Sequence, residues 1–90
     1  MVKYDMMNWR KAIENQFFIH NDSWKNVVSI VPEDKKWLDY LFDEDETVPQ
    51  GNAFTIWTKT RIYFPVFSEN QEYCESISRD PDNKVTRHLG

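Results

Sequence analysis

The chain has 90 residues, a formal net charge of −4 and a single cysteine, Cys74. This length predicts one domain, because each separate core needs roughly 50 residues or more, and a lone cysteine excludes an internal disulfide. The N-terminal residues lack the apolar core of a signal peptide and no apolar run is long enough to span a membrane, so we expect a cytoplasmic protein with no membrane contact.

A first helix is predicted over about residues 6–18. Met6, Trp9, Ile13 and Phe17 recur at steps of three and four, which is the spacing of one helical face. Asp5 precedes them and is a candidate N-cap, because a carboxylate can accept a hydrogen bond from the free amides of a first turn.

Residues 23–31 support two interpretations. Their β-branched side chains favour a strand. A helix is supported by four apolar residues that share one helical face, Trp24, Val27, Val28 and Val31. Ser23 precedes this face as a candidate N-cap, and we therefore predict a short helix.

A further helix is predicted over about residues 33–43. Pro32 can stand before it, because a first turn does not need the missing amide hydrogen, and Glu33 and Asp34 complement the positive end of a helix. Its apolar stripe consists of Trp37, Leu38, Leu41 and Phe42.

The second half of the chain has the alternation and β-branched content of strands. We predict strands at about 53–58, 61–67 and 72–78, joined by close turns into an antiparallel meander. Asn70 is expected to adopt a left-handed conformation in the second turn. Pro65 cannot donate to a sheet ladder, so a bulge or a strand break is predicted there.

The predicted fold class is α+β, with two or three N-terminal helices packed on a C-terminal three-stranded antiparallel meander. A single domain covers residues 1–90. Its compact part spans about residues 4–79, and residues 80–90 are expected to form a frayed tail because they contain Pro81, scattered charges and few apolar side chains.

Few residues point to catalysis, a metal or a cofactor. Gly51 and Gly90 are the only glycines, too few for most phosphate-binding loops, and no two of the residues His20, His88 and Cys74 lie at zinc-site spacing. Cys74 could serve a small enzyme as a nucleophile, but within a strand it is more typical of a small buried hydrophobe. We therefore expect no cofactor, no metal and no enzyme activity.

An acidic region carries the charge of the chain. Residues 33–46 contain seven acids and two lysines, whereas the charges of the remaining residues nearly cancel. The candidate partner-binding acids are Asp39, Asp43, Glu44, Asp45 and Glu46. Such a region is either a solvated helix end that favours solubility or a docking patch whose charge speeds encounter with a basic partner.

The predicted sheet provides a second candidate surface. If Ile56 pairs with Phe64, then Trp57, Tyr63 and Phe67 gather on the face that points away from the helices. Lys59 and Thr60 contain neither Asn nor Gly to identify the turn type, so the register stays open. Exposed rings of this kind bind proteins or stack on bases, and packing under the first helix is the alternative.

The sequence predicts a small acidic noncatalytic protein-binding or regulatory module, which could inhibit a basic partner protein. The alternatives are single-stranded nucleic-acid binding through an aromatic sheet face and a small enzyme that uses Cys74. A negative net charge makes nucleic acid the weaker partner, because phosphate contacts supply most nonspecific affinity. The composition is also compatible with a homodimer.

Overall fold

The helical spacing near the N-terminus produces one α-helix. In the computed structural model, which describes residues 6–43 and 50–79, helix α1 spans Trp9–Ile19. Its N-cap is Asn8, whose side chain accepts a hydrogen bond of 2.9 Å from the amide of Lys11. The predicted cap Asp5 lies outside the described residues. Strand β1, Met6–Met7, precedes the helix where the predicted helix would have begun.

The prediction of a second helix is wrong. Residues Trp24–Asn26 form a single 3-10 turn, and strand β2 then spans Val27–Val31. The β-branched side chains of this segment suit a strand, and pairing with β4, Thr55–Thr58, supplies the backbone hydrogen bonds. Side-chain type therefore outweighed the helical spacing.

The prediction of a helix over 33–43 is also too long. Only Lys35–Asp39 is helical, as a 3-10 helix whose first turn is capped by Asp34 through a bond of 3.1 Å to the amide of Lys36. This short helix turns Trp37 and Leu38 into the core. Strand β3, Phe42–Asp43, follows and pairs antiparallel with β1.

The second half of the chain forms the predicted strands. Strand β4 is followed by β5, Arg61–Ser68, and β6, Gln71–Ser78. The sheet is antiparallel in the order β2-β4-β5-β6, so it has four strands and not three. Glu69 and Asn70 have φ angles of 53° and 62°, which confirms the left-handed turn expected at Asn70. The fold class is α+β.

The structure sets the register of the first hairpin, which the sequence left open, and it is not the one that pairs Ile56 with Phe64. Ile56 pairs with Tyr63 and Trp57 with Ile62, which leaves a connection of two residues. The hydroxyl oxygen of Thr58 accepts hydrogen bonds from the amides of Thr60 and Arg61 at 3.3 and 3.0 Å. The side chain of Thr58 therefore fixes this two-residue turn, whose type could not be inferred from Lys59 and Thr60.

Pro65 interrupts neither β5 nor its pairing with β6, so the predicted bulge or break is wrong. It pairs with Cys74 in a continuous β5–β6 ladder. Strand β4 pairs with β5 only at Tyr63 and Ile62, so it ends before it reaches Pro65. The missing amide hydrogen therefore removes no bond to β4.

Aromatic rings fill the core between α1 and the sheet. The ring of Trp9 is fully buried and lies 4.9 Å from the rings of both Phe42 and Phe54. Trp37 stacks on Phe54 at 5.1 Å, and Phe17 meets Tyr63 edge-on at 5.0 Å. Pairs in these orientations add to the stabilisation from burial.

A short segment before β4 is tied to this core by polar contacts. Trp9 Nε1 donates to the carbonyl of Asn52 at 2.9 Å. The buried carboxylate of Glu72 accepts bonds of 2.8 Å from the amides of Gln50 and Gly51. A Cβ atom on Gly51 would lie 2.8 Å from the rings of Trp9 and Phe42, so glycine is required for this close approach.

Candidate functional site

The four-stranded sheet has an inner face under α1 and an opposite face, here called the outer face. Ile56, Tyr63 and Cys74 are buried on the inner face. Side chains alternate along a strand, so their neighbours point the other way. The strand pairings then place these apolar side chains on the outer face: Val31, Trp57, Ile62, Phe64, Val66, Tyr73 and Ile77.

Most of the outer face is partly open to solvent. Trp57, Ile62 and Phe64 are half-buried, as are Tyr73 and Ile77. These side chains do not belong to the core cluster of buried residues. The outer face is therefore a contiguous apolar surface, because Trp57 pairs with Ile62 and Ile62 with Ile77 across three strands.

Charge is sparse on the outer face. Among its described strand residues there is no lysine or arginine, and Glu75 is the charged side chain opposite Phe64. Arginines near one end of the sheet are engaged elsewhere. Arg61 Nε donates to Ser76 Oγ at 2.8 Å, and Arg79 Nη1 donates to the carbonyl of Thr58 at 2.6 Å.

The predicted ring cluster of Trp57, Tyr63 and Phe67 does not form on one exposed face. Trp57 lies on the outer face, whereas Tyr63 is fully buried on the inner face. Phe67 follows the alternation of Tyr63 and pairs with the buried Glu72. The cause is the two-residue turn, since a shift of one residue exchanges the faces of a strand.

Sequence reasoning did not include Ile62, Phe64, Tyr73 or Ile77 in a candidate surface. In β6 the inner side chains are Glu72, Cys74 and Ser76, which are more polar than the alternating set Tyr73, Glu75 and Ile77. The apolar side chains that alternate along β6 therefore lie on the face away from the helices. That pattern was the available signal for an exposed apolar face.

The acidic region is only partly described. Asp39 is exposed and forms a two-pronged ion pair with Arg10, with distances of 2.7 and 3.1 Å. The hydrogen bond from Arg10 lowers the pKa of the Asp39 carboxyl below its usual value. Asp43 belongs to β3. Glu44, Asp45 and Glu46 lie outside the described residues, so the acidic patch stays a prediction.

A separate polar cluster is centred on the carboxylate of Asp22. Its Oδ2 accepts hydrogen bonds from Thr58 Oγ1 at 2.7 Å and from the hydroxyl of Tyr63 at 2.9 Å. Its Oδ1 accepts from the amide of Ser23 and from Asn26 Nδ2, both at 2.9 Å. The cluster joins the end of α1 to the β4–β5 hairpin.

Two pKa shifts follow from this cluster. Desolvation is the largest single influence on the Asp22 carboxyl and raises its pKa, but the hydrogen bonds from Thr58, Asn26, Tyr63 and Ser23 together outweigh it and lower the pKa. Burial and the bond to Asp22 raise the pKa of the Tyr63 hydroxyl. The arrangement stabilises the fold, because each acceptor and donor is already satisfied within it.

Of the side chains with candidate catalytic chemistry, Cys74 and His20 are described, and His88 lies outside the described residues. Cys74 is buried, and desolvation raises the pKa of its thiol to about 12, so the thiol stays protonated at neutral pH. Burial also lowers the pKa of His20. In residues 6–43 and 50–79, no group of three His, Cys, Asp or Glu side chains could hold a metal ion.

The described part of the chain has no helix that is both long and apolar enough to cross a membrane. No known protein family, curated protein or solved structure matches the chain. Its function is therefore inferred from the geometry of its own residues.

Proposed function

We propose that this protein is a noncatalytic binding module that docks another protein on the outer face of its sheet. The observation that carries the proposal is the contiguous half-buried surface formed by Trp57, Ile62, Phe64, Tyr73 and Ile77. Such a surface gains free energy when a partner covers it, at roughly 25 cal/mol per Å² of apolar area removed from water. Trp and Tyr are also enriched among the residues that dominate binding energy.

The charge of the outer face favours a protein over a nucleic acid. A strand of nucleic acid needs cations along the path of its phosphates. The described residues of the outer face offer no lysine or arginine, and they include Glu75. A protein partner needs only a complementary apolar centre with a polar rim.

The partner that fits best has an apolar centre and a basic border. The net charge of −4 and the acidic residues 43–46 favour such a border, because complementary charge speeds encounter and sets orientation. A module with these properties could inhibit a basic protein by covering its working surface.

Removing two outer-face rings should strongly weaken partner binding. The variant Trp57→Ser with Phe64→Ser is expected to weaken binding of a partner isolated from the native host by at least about 2 kcal/mol, because central rings carry most of an interface's energy. The measurement is the Kd of the purified partner. The matched control is Phe18→Ser with Ile19→Ser, which removes two exposed apolar side chains, 88% and 65% accessible, from the end of α1.

A second variant separates binding from folding. Thr55→Arg adds a charge to the outer face without removing an apolar side chain, and it is also expected to weaken the complex. Equal affinity of the wild type and both outer-face variants would reject the proposed surface. Tight, salt-sensitive binding of a single-stranded oligonucleotide to the wild type, lost in the Trp57→Ser with Phe64→Ser variant, would replace the protein partner by a nucleic acid.

Neutralising residues 43–46 should slow association. With Asp43→Asn, Glu44→Gln, Asp45→Asn and Glu46→Gln combined, we expect the association rate at low salt to fall about tenfold and its salt dependence to shrink, while dissociation changes little. Stopped-flow kinetics with the purified partner would test this. Glu69→Gln, at the exposed β5–β6 turn, is the control for charge lost elsewhere, and unchanged kinetics in the fourfold variant would exclude steering by residues 43–46.

A further inference from the structure

A groove lies between α1, the start of β2 and the 3-10 helix Lys35–Asp39, away from the outer face. Its volume is about 310 Å³, and it is lined by Arg10, Trp24, Val27, Ile30, Lys35 and Leu38. We propose that this groove binds a small amphipathic carboxylate, a molecule with one acid group on an apolar aromatic or branched body. A volume near 300 Å³ is at the lower end of small-molecule pockets.

The apolar part of the groove reaches the core. Ile30 and Leu38 are 9% and 1% accessible and belong to the core cluster, against which Trp24 and Val27 are packed. A ligand body placed there would exchange water for a hydrocarbon and indole surface. This is the environment that favours an apolar group over a sugar or a phosphate.

The wall of the groove is fixed by contacts within the protein. Trp24 Nε1 donates to Glu14 Oε2 at 2.7 Å, and the indole meets Phe17 edge-on at 5.0 Å. The guanidinium of Arg10 lies 5.9 Å from the centre of the Trp24 ring and is held by the carboxylate of Asp39. Little ordering is therefore needed when a ligand enters, which favours binding.

The charged side chains that line the groove are both cationic. Asp39 binds Nε and Nη2 of Arg10, and Nη1 has no hydrogen-bond partner among residues 6–43 and 50–79, so it can donate to a ligand. The ammonium of Lys35 has no hydrogen bond or ion pair with a residue in the described ranges. A carboxylate near Lys35 and Arg10 Nη1 would accept hydrogen bonds from both groups, whereas an amide or an amine offers them no anionic acceptor.

Titration of the full 90-residue chain with 4-phenylbutyrate, followed by ¹H–¹⁵N NMR, tests the proposal. We expect saturable shifts at the backbone amides of the lining residues. The uncharged 4-phenylbutanamide and the cationic 4-phenylbutylamine share the body of the acid and are the matched probes. Both should bind more weakly, by about three- to tenfold for the amide, as expected for loss of one partly exposed ion pair.

The variant Lys35→Gln should weaken binding of the acid by about the same three- to tenfold and leave binding of the amide unchanged. Lys36→Gln is the matched control, because Lys36 is the next residue and does not line the groove. Equal affinity for the acid, amide and amine, or shifts confined to other residues, would overturn the proposal. Tighter binding of a tripeptide with a free C-terminal phenylalanine would also overturn it, in favour of a peptide terminus.

The groove and the outer face are tested separately. The outer-face variant Trp57→Ser with Phe64→Ser changes none of the groove residues, so it should bind 4-phenylbutyrate as the wild type does. Loss of acid binding in this variant would place the ligand on the outer face and reject the groove.

Discussion

Replacement of Trp9 by alanine is expected to lower the free energy of unfolding by about 3 to 5 kcal/mol, the range for truncating a buried large ring. Trp9 is fully buried and contacts the rings of Phe42 and Phe54. Its indole also anchors Asn52 through a hydrogen bond, and Gly51 packs against it. One substitution therefore creates a cavity and releases the segment that leads into β4.

Urea denaturation followed by circular dichroism measures this loss. Trp57→Ala is the matched control, because Trp57 is half-buried on the outer face and its removal leaves no enclosed cavity. Trp9→Phe keeps a ring but loses the hydrogen bond to the Asn52 carbonyl. We expect the loss of this bond to lower the free energy of unfolding by about 1 kcal/mol, in addition to the cost of the smaller ring. A Trp9→Ala variant as stable as Trp57→Ala would contradict the position of Trp9 at the centre of the core.

Replacement of Asp22 by alanine is expected to cost about 2 to 4 kcal/mol, because it leaves hydroxyl donors of the cluster without an acceptor. Thr58 and Tyr63 are fully buried, and the hydroxyl of Tyr63 donates to this carboxylate at 2.9 Å. The cluster also connects the end of α1 to the hairpin that sets the register of the sheet. Asp39→Ala, which removes an exposed ion pair, should change stability much less.

The Asp22 cluster also predicts how stability depends on pH. The folded-state pKa of Asp22 is lowered from 3.8, so its contribution is present above that value and is lost as the pH falls through the folded pKa. The folded-state pKa of Tyr63 is raised from 10.0, so its contribution is present below that value and is lost as the pH rises. Stability should therefore fall below about pH 4 and above about pH 10.

Chemical denaturation across pH separates the two groups. Asp22→Asn should remove its part of the acid dependence, and Tyr63→Phe its part of the alkaline dependence. If both variants keep the full pH profile of the wild type, other groups control it and the cluster does not.

Local sequence features predicted the elements whose signals are local. The helical spacing of Trp9, Ile13 and Phe17 produced α1, and the strands of the second half lie close to their predicted bounds. Asn70 adopted its left-handed turn because a short polar side chain tolerates that conformation by itself. The α+β class followed from these elements.

Predictions that required a partner strand were less successful. The spacing of residues Val27–Val31 is compatible with a helix and their β-branched side chains with a strand. They form a strand because they pair with Thr55–Thr58. The first hairpin had no Asn or Gly to fix its turn, and the hydroxyl of Thr58 set a two-residue connection. That single shift moved Tyr63 into the core and left Trp57 on the outer face.

The sequence by itself determined the net charge, the aromatic content, helix α1 and the run of strands in the second half, because charge, hydrophobic spacing and turn preference belong to a few neighbouring residues. The tertiary structure decided which rings are exposed, which acid is neutralised by Arg10 and how a groove forms beside Trp24. These properties depend on contacts between residues far apart in the chain, such as Asp22 with Tyr63 and Gly51 with Glu72, which no local pattern specifies.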